Sequence, residues 1–186
     1  YLMKMDKLKS CLKETLLTKE DIDKITSELA EKLNEEYQDK KEPIVVVGLL
    51  KGAIMFTCDL YRKLNFPSTL DFFWATSYVG SASTHKLDIR KDIDEDVEGK
   101  HVILLDDSVN TATSLKVILE KLRPRNPLSI KIVTLLDKPS ARKYDLKPDL
   151  VGKVVDDKFL VGYGMDYNDL YRNLPYVAVL DESIYK

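Results

Sequence analysis

The segment richest in chemistry is Val102-Ile103-Leu104-Leu105-Asp106-Asp107-Ser108-Val109-Asn110-Thr111-Ala112-Thr113-Ser114-Leu115. An apolar run ends in two carboxylates, and small hydroxyl-bearing residues then lead into a helical pattern. A helix N-terminus attracts phosphate through its free N–H groups and the positive end of its dipole. Thr111, Thr113 and Ser114 add hydroxyl donors without bulk. Paired carboxylates just upstream suit the vicinal hydroxyls of a ribose. The segment therefore reads as a sugar site at one end and a 5′-phosphate site at the other. The competing reading is a solvated strand-to-helix turn with Asp near the helix start. A Walker loop is excluded, because its Gly-Lys-Ser/Thr ending is missing.

The elements that must hold this segment follow from periodicity. Thr18-Lys19-Glu20-Asp21 resembles a capping box with Asp in place of Glu or Gln, and it opens a helix with Ile22, Ile25, Leu29 and Leu33 on one face. Ile44-Val45-Val46-Val47-Gly48-Leu49-Leu50 is a continuous apolar run, as in strands buried on both faces. A second helix is expected through Ile54, Phe56, Leu60 and Leu64, stopped by Asn65-Phe66-Pro67. Strands are expected over 70–76, 102–105 and 130–136, a helix over 113–122, and a last strand at Val177-Ala178-Val179-Leu180. Residues 80–86 read as an exposed, mobile loop. Alternating strands and helices define an α/β chain with a mainly parallel twisted sheet flanked by helices. Ligands of such sheets bind beyond the carboxyl ends of the strands.

The pattern of four apolar residues, two acids and a small hydroxyl-rich turn resembles the phosphoribosyl-pyrophosphate (PRPP) loop of the type I phosphoribosyltransferases, of the hypoxanthine-guanine kind. The resemblance runs through Leu50-Lys51-Gly52, Ser77-Tyr78, Leu135-Leu136-Asp137-Lys138-Pro139, Lys147-Pro148-Asp149 and the stretches 157–167 and 171–176. It implies one transferase domain over 1–186, with a small hood subdomain from the chain ends to which the part from about residue 155 contributes. It also implies purine salvage: transfer of the phosphoribosyl group from PRPP to hypoxanthine or guanine, giving IMP or GMP and pyrophosphate, with Mg2+ as cofactor.

By the same resemblance, Asp106, Asp107, Asn110, Thr111, Ala112, Thr113 and Ser114 bind the ribose phosphate, while Leu50, Lys51, Gly52 and Arg172 bind pyrophosphate. Leu50-Lys51 matches a non-proline cis bond of the family. Ser77 and Tyr78 begin a flexible loop that shields the reaction from water; residues 80–90 depart from its usual composition. Lys138 donates to the purine 6-oxygen, which a donor-only side chain suits and the 6-amino group of adenine does not. Phe159 stacks on the purine beside Leu160, and Asp166 completes the base site. Asp166, Asp106 and Asp107 are the expected metal ligands.

Two positions depart from the family. Asn110 stands where an Asp takes the proton from purine N7, and an amide has no useful basicity; losing a general base costs about 10²–10⁴-fold in rate. Ala112 stands where Gly is usual, and a φ above zero there would cost on the order of 1–2 kcal/mol.

Composition limits the alternatives. A formal net charge of −2, with 32% charged and 44% hydrophobic residues, gives no global pull toward nucleic acid or membrane. An RNA-binding attenuator on the same scaffold, the main alternative, would want a basic face that the scattered lysines do not supply. Two cysteines make no disulfide framework. No apolar run approaches the ~20 residues of a membrane span, so a cytoplasmic protein is expected. His85 and His101 match no ligand spacing and read as surface or loop histidines. The resemblance further implies a homodimer or homotetramer.

Overall fold

The computed structural model describes residues 5–78 and 86–185. Its main sheet has six strands in the order β4-β3-β2-β5-β6-β7: β2 (Ile44–Leu50), β3 (Thr69–Tyr78), β4 (Lys86–Lys91), β5 (His101–Val109), β6 (Ser129–Asp137) and β7 (Leu150–Val154). All neighbouring pairs are parallel except β3 with the edge strand β4. A second sheet, β1 (Leu12–Leu17), β9 (Val177–Leu180) and β8 (Leu160–Val161), is antiparallel.

The continuous apolar runs have a simple cause. Alternate side chains leave a strand on opposite faces, and both faces of the main sheet are covered. Ile44 and Val46 of β2, with Ile103 and Leu105 of β5, pack under α2 (Lys19–Tyr37) and α3 (Ile54–Tyr61). Val45, Val47, Val102 and Leu104 pack on the other side, against Leu115, Ile118, Leu119 and Leu122 of α4 (Thr113–Leu122). A short α1 (Met5–Lys9) precedes β1, and Leu8 joins Val161, Tyr171, Leu174 and Leu180 beneath the small sheet.

The capping box at the start of α2 is formed: Asp21 N–H donates to Thr18 Oγ1 at 3.1 Å and Thr18 N–H to Asp21 Oδ2 at 2.9 Å. Asp has a shorter side chain than Glu but still closes the reciprocal pair.

Three expectations need correction. The second helix ends at Tyr61, and Leu64 lies past it in a turn, packed against the core. Residues 86–90 are not loop; they belong to β4, whose ladder with β3 runs from Trp74↔Lys91 to Tyr78↔Lys86. Residues 79–85, including His85 and most of the expected mobile loop, lie outside the described residues, as do the side chains of Ser77 and Tyr78. His101 is no surface histidine: it begins β5, contacts Ser129 Oγ through Nδ1 at 2.7 Å and meets the Tyr37 ring edge-on. Among the described residues no helix is long and apolar enough to cross a membrane.

Candidate functional site

The carboxyl ends of β2, β3, β5 and β6 open into two adjoining cavities. The smaller, about 290 Å³, is lined by residues 106–115 together with Leu49, Leu50, Gly52, Phe73, Ala75 and Ile118. The larger, about 630 Å³, lies between this loop and the small sheet, and Lys51, Trp74, Lys138, Phe159, Leu160, Met165, Asp166, Asp169 and Arg172 line it. Asp107, Ser108 and Asn110 face both. Asn110 therefore stands at their junction.

The floor is formed by Asp106 and Asp107 at the end of β5. Burial, and then the neighbouring carboxylate, raise Asp106 well above the usual carboxylate range, and burial raises Asp107 to about 6. Two acids held this way favour a ligand that brings hydrogen-bond donors or a cation. Among the described residues, no three His, Cys, Asp or Glu side chains gather into a metal cluster.

The turn after β5 takes its shape from its carbonyls. Val109 O accepts from Lys138 N–H at 3.0 Å, and Thr111 O from Lys143 N–H at 3.2 Å. Thr111 Oγ1 and Thr113 Oγ1 are 2.9 Å apart. Ala112, at the N-cap of α4, has φ 62°, the left-handed conformation that makes its methyl costly.

The peptide bond Leu50-Lys51 is cis. Gly52 then runs so close to Asp107 that a Cβ would fall 2.3 Å from Oδ1. Gly164, at φ +99°, approaches equally closely: a Cβ there would lie 2.0 Å from Gly52 O. Glycine at both positions lets the small-sheet segment rest directly on the loop after β2.

On the far wall, Lys138 is buried, and its Nζ donates to Lys158 O at 2.5 Å, with Asp157 Oδ1 at 3.8 Å. Desolvation lowers its pKa, opposed by the Asp157 and Asp107 charges. An ammonium has three donors, and the Lys158 carbonyl takes one. Phe159 is half-buried, edge-on to Tyr167 and tilted against Tyr185. Arg172 donates to Gly164 O at 2.8 Å and pairs with Asp166 Oδ1 at 2.8 Å and Asp169 Oδ1 at 3.0 Å. Asp166 also accepts from Asp169 N–H, so its carboxylate is already committed to the protein.

Sequence reasoning missed three residues here. Trp74 lines the larger cavity, with Lys51 Nζ 5.9 Å from its ring centroid, and its buried Nε1 has no hydrogen-bond partner among the described residues. Its place opposite Leu50 at the end of a strand was the available signal. Asp169 joins Lys51 to Arg172. Arg142 grips the turn after β5 from behind.

A parallel sheet whose strand ends carry an acid pair, an amide-and-hydroxyl turn and a small covering sheet is the type I phosphoribosyltransferase fold. The sequence matches the phosphoribosyl transferase domain family over residues 13–168. A hypoxanthine-guanine phosphoribosyltransferase of Staphylococcus aureus is 46% identical over 175 residues, covering 94% of this chain and 97% of the relative. The crystal structure of a hypoxanthine phosphoribosyltransferase from the same species aligns with a TM-score of 0.90 at 44% identity, over 96% of this chain and 97% of that one. A hypoxanthine phosphoribosyltransferase from Trypanosoma cruzi, solved with its product IMP, gives 0.88 at 34% identity, over 94% and 97%. The chain belongs to the phosphoribosyltransferase family, on its hypoxanthine-guanine branch.

Proposed function

We infer that this protein transfers the 5-phosphoribosyl group of PRPP to hypoxanthine or guanine, releasing pyrophosphate and yielding IMP or GMP, in purine salvage. The observation that carries this reading is the junction of the two cavities at Asn110: one is amide- and hydroxyl-lined, the other has a buried lysine and an aromatic wall. In this reading Asp106 and Asp107 hold the ribose hydroxyls. Thr111, Ala112, Thr113 and Ser114 hold the 5′-phosphate, and Leu50, Lys51, Gly52 and Arg172 hold pyrophosphate. Lys138 meets the 6-oxygen, Phe159 stacks on the ring, and Leu160 and Asp166 line the base pocket. Ser77 and Tyr78 lead into the covering loop. The single domain over 1–186, covered over the base by the part from about residue 155, belongs to the same reading.

Purine N9 displaces pyrophosphate from C1′ while positive charge builds on the sugar, and the closed site keeps out water that would otherwise intercept it. Enzymes of the family generally use Mg2+, which when bound neutralises the leaving pyrophosphate. Mg2+ prefers one or two carboxylates with substrate oxygens and water. Asp106 and Asp107 fit that donor set, with Asp166 reachable once Arg172 turns to pyrophosphate. Asn110 orients N7–H but cannot take its proton, which passes instead to water as the N9–C1′ bond forms, and this makes the enzyme slow.

The relatives named above favour the enzyme over an RNA-binding regulator, because the likeness spans the cavity-lining residues of both walls. Exposed Ile54 and Met55 on α3 supply apolar surface for the dimer or tetramer that the family implies. Incubation with PRPP, Mg2+ and each purine base, followed by nucleotide absorbance, tests the reading. IMP and GMP should form and AMP should not. Absent turnover, together with equal affinity for IMP and inosine in calorimetry, would sink it.

A further inference from the structure

Arg142 lies on the short turn after β6, behind the cavities rather than in them. Its Nη1 donates to Val109 O at 3.1 Å and to Asn110 O at 2.7 Å, and its Nη2 pairs with the Asp137 carboxylate. The side chains of Arg142 and Asp137 are only 14% and 10% exposed. With the Lys138 and Lys143 amides, three consecutive carbonyls, of Val109, Asn110 and Thr111, are held on one side by the segment 138–143. A trans peptide points its C=O and N–H in opposite directions. Holding the Asn110 and Thr111 carbonyls back therefore turns the Thr111 and Ala112 N–H groups the other way, toward the smaller cavity. Those two N–H groups have no acceptor among the described residues.

We propose that Arg142 is a positioning residue that sets the peptide orientation of the phosphate turn and ties it to Asp137, the residue before Lys138, so that the base wall and the phosphate wall keep a fixed spacing. This rests on the ribose-phosphate reading above. The peptide plane is rigid, so a bond made by its carbonyl fixes the direction of its N–H as well. The local sequence works against this shape, because the turn needs a left-handed residue at position 112 and the Ala112 methyl makes that conformation costly. Guanidinium suits the task because its planar fork fixes the geometry, one nitrogen on both carbonyls and the other on the Asp137 carboxylate, where an ammonium is a rotating point charge.

The test compares the unmutated chain with Arg142→Ala, Arg142→Lys and Asp137→Asn, each checked for folding by thermal melting. IMP and inosine are titrated by calorimetry, and KM for PRPP and for hypoxanthine is measured. Arg142→Ala should weaken IMP and raise KM for PRPP by about tenfold or more, with inosine affinity within about twofold. Guanidinium ion at tens of millimolar should restore part of the lost IMP binding in that variant and do nothing for the unmutated chain. Arg142→Lys should fall between, and Asp137→Asn should keep IMP binding because the carbonyl bonds survive. A folded Arg142→Ala that holds IMP as well as the unmutated chain overturns the proposal; so does an equal loss of IMP and inosine without guanidinium rescue. Should Arg142→Ala not fold, equal losses in Arg142→Lys and Asp137→Asn overturn it, and a loss confined to Arg142→Lys supports it. An unmutated chain that prefers IMP no more than inosine removes the ribose-phosphate reading itself, and the proposal with it.

Discussion

Two walls face each other across the site, and they are made differently. The turn wall is consecutive in sequence: residues 106–115 supply the acids, the hydroxyls and the amides, and its shape comes from backbone carbonyls tied back at 109–111. The small-sheet wall is assembled from distant pieces: Lys138 after β6, Phe159 and Leu160 at β8, Asp166 and Arg172 in the segment before β9. Its contacts are side-chain ones, such as Arg172 on Asp166 and Asp169 and Phe159 among Tyr167 and Tyr185. Backbone donors are rigid and tolerant of sequence, and they suit a phosphate group, which is the same whatever base is joined to its sugar. Side chains discriminate, and they suit the base.

The largest effect should come from the residue that belongs to both walls. Asn110→Asp restores a proton acceptor at the junction and should raise kcat by about two orders of magnitude, with KM for PRPP barely moved. A stopped assay with saturating PRPP and hypoxanthine reads it; unchanged kcat would show that proton removal does not limit turnover. Next, Lys138→Ala strikes the small-sheet wall alone. The ratio kcat/KM for hypoxanthine and guanine should fall about 10- to 100-fold, while PRPP binding holds. Equal losses for base and PRPP would erase the distinction between the walls.

A smaller effect separates binding from stability. Asp107 is raised to about 6, so the folded chain holds that proton more tightly than the unfolded one. Stability from this group therefore falls as pH rises from about 4 to 6, and the full cost is present above 6. Asp107→Asn removes it: the ligand-free variant should melt higher at pH 7, by up to about 6–12 °C for a carboxyl raised from 3.8 to about 6, with the gain fading toward pH 4. A gain independent of pH would refute the assignment. Smallest of all, Ala112→Gly relieves the methyl at φ 62° but frees the unfolded chain, leaving a net gain below about 1 kcal/mol in denaturant melts. Loss of stability there would mean that the surrounding packing, not φ, governs the position.

Much of the main sheet was legible because each buried strand carries its own signal: β2, and β5 over 102–105, are continuously apolar since both faces are covered. The turn wall was legible for the same local reason, acids and hydroxyls standing side by side. The small-sheet wall gave less. Tyr163, Asn168, Asp169 and Tyr171 all adopt positive φ without being glycine, a conformation imposed by surrounding contacts that no local pattern announces. Arg142 was invisible because two of its three partners are carbonyls, which every residue has. Strand β4 was misread because its sequence, Lys-Leu-Asp-Ile-Arg-Lys, is largely polar at a sheet edge.

One feature of the small sheet has a meaning in time rather than space. Among the described residues strand β1 pairs only with β9, joining Leu12–Leu17 to Val177–Leu180 across most of the chain. A chain made from its N-terminus completes the β2, β5 and β6 core, with the turn after β5, while β1 still lacks its β9 partner. Contacts so distant in sequence form late. The protein therefore completes the turn wall of the site before the small-sheet wall that faces it.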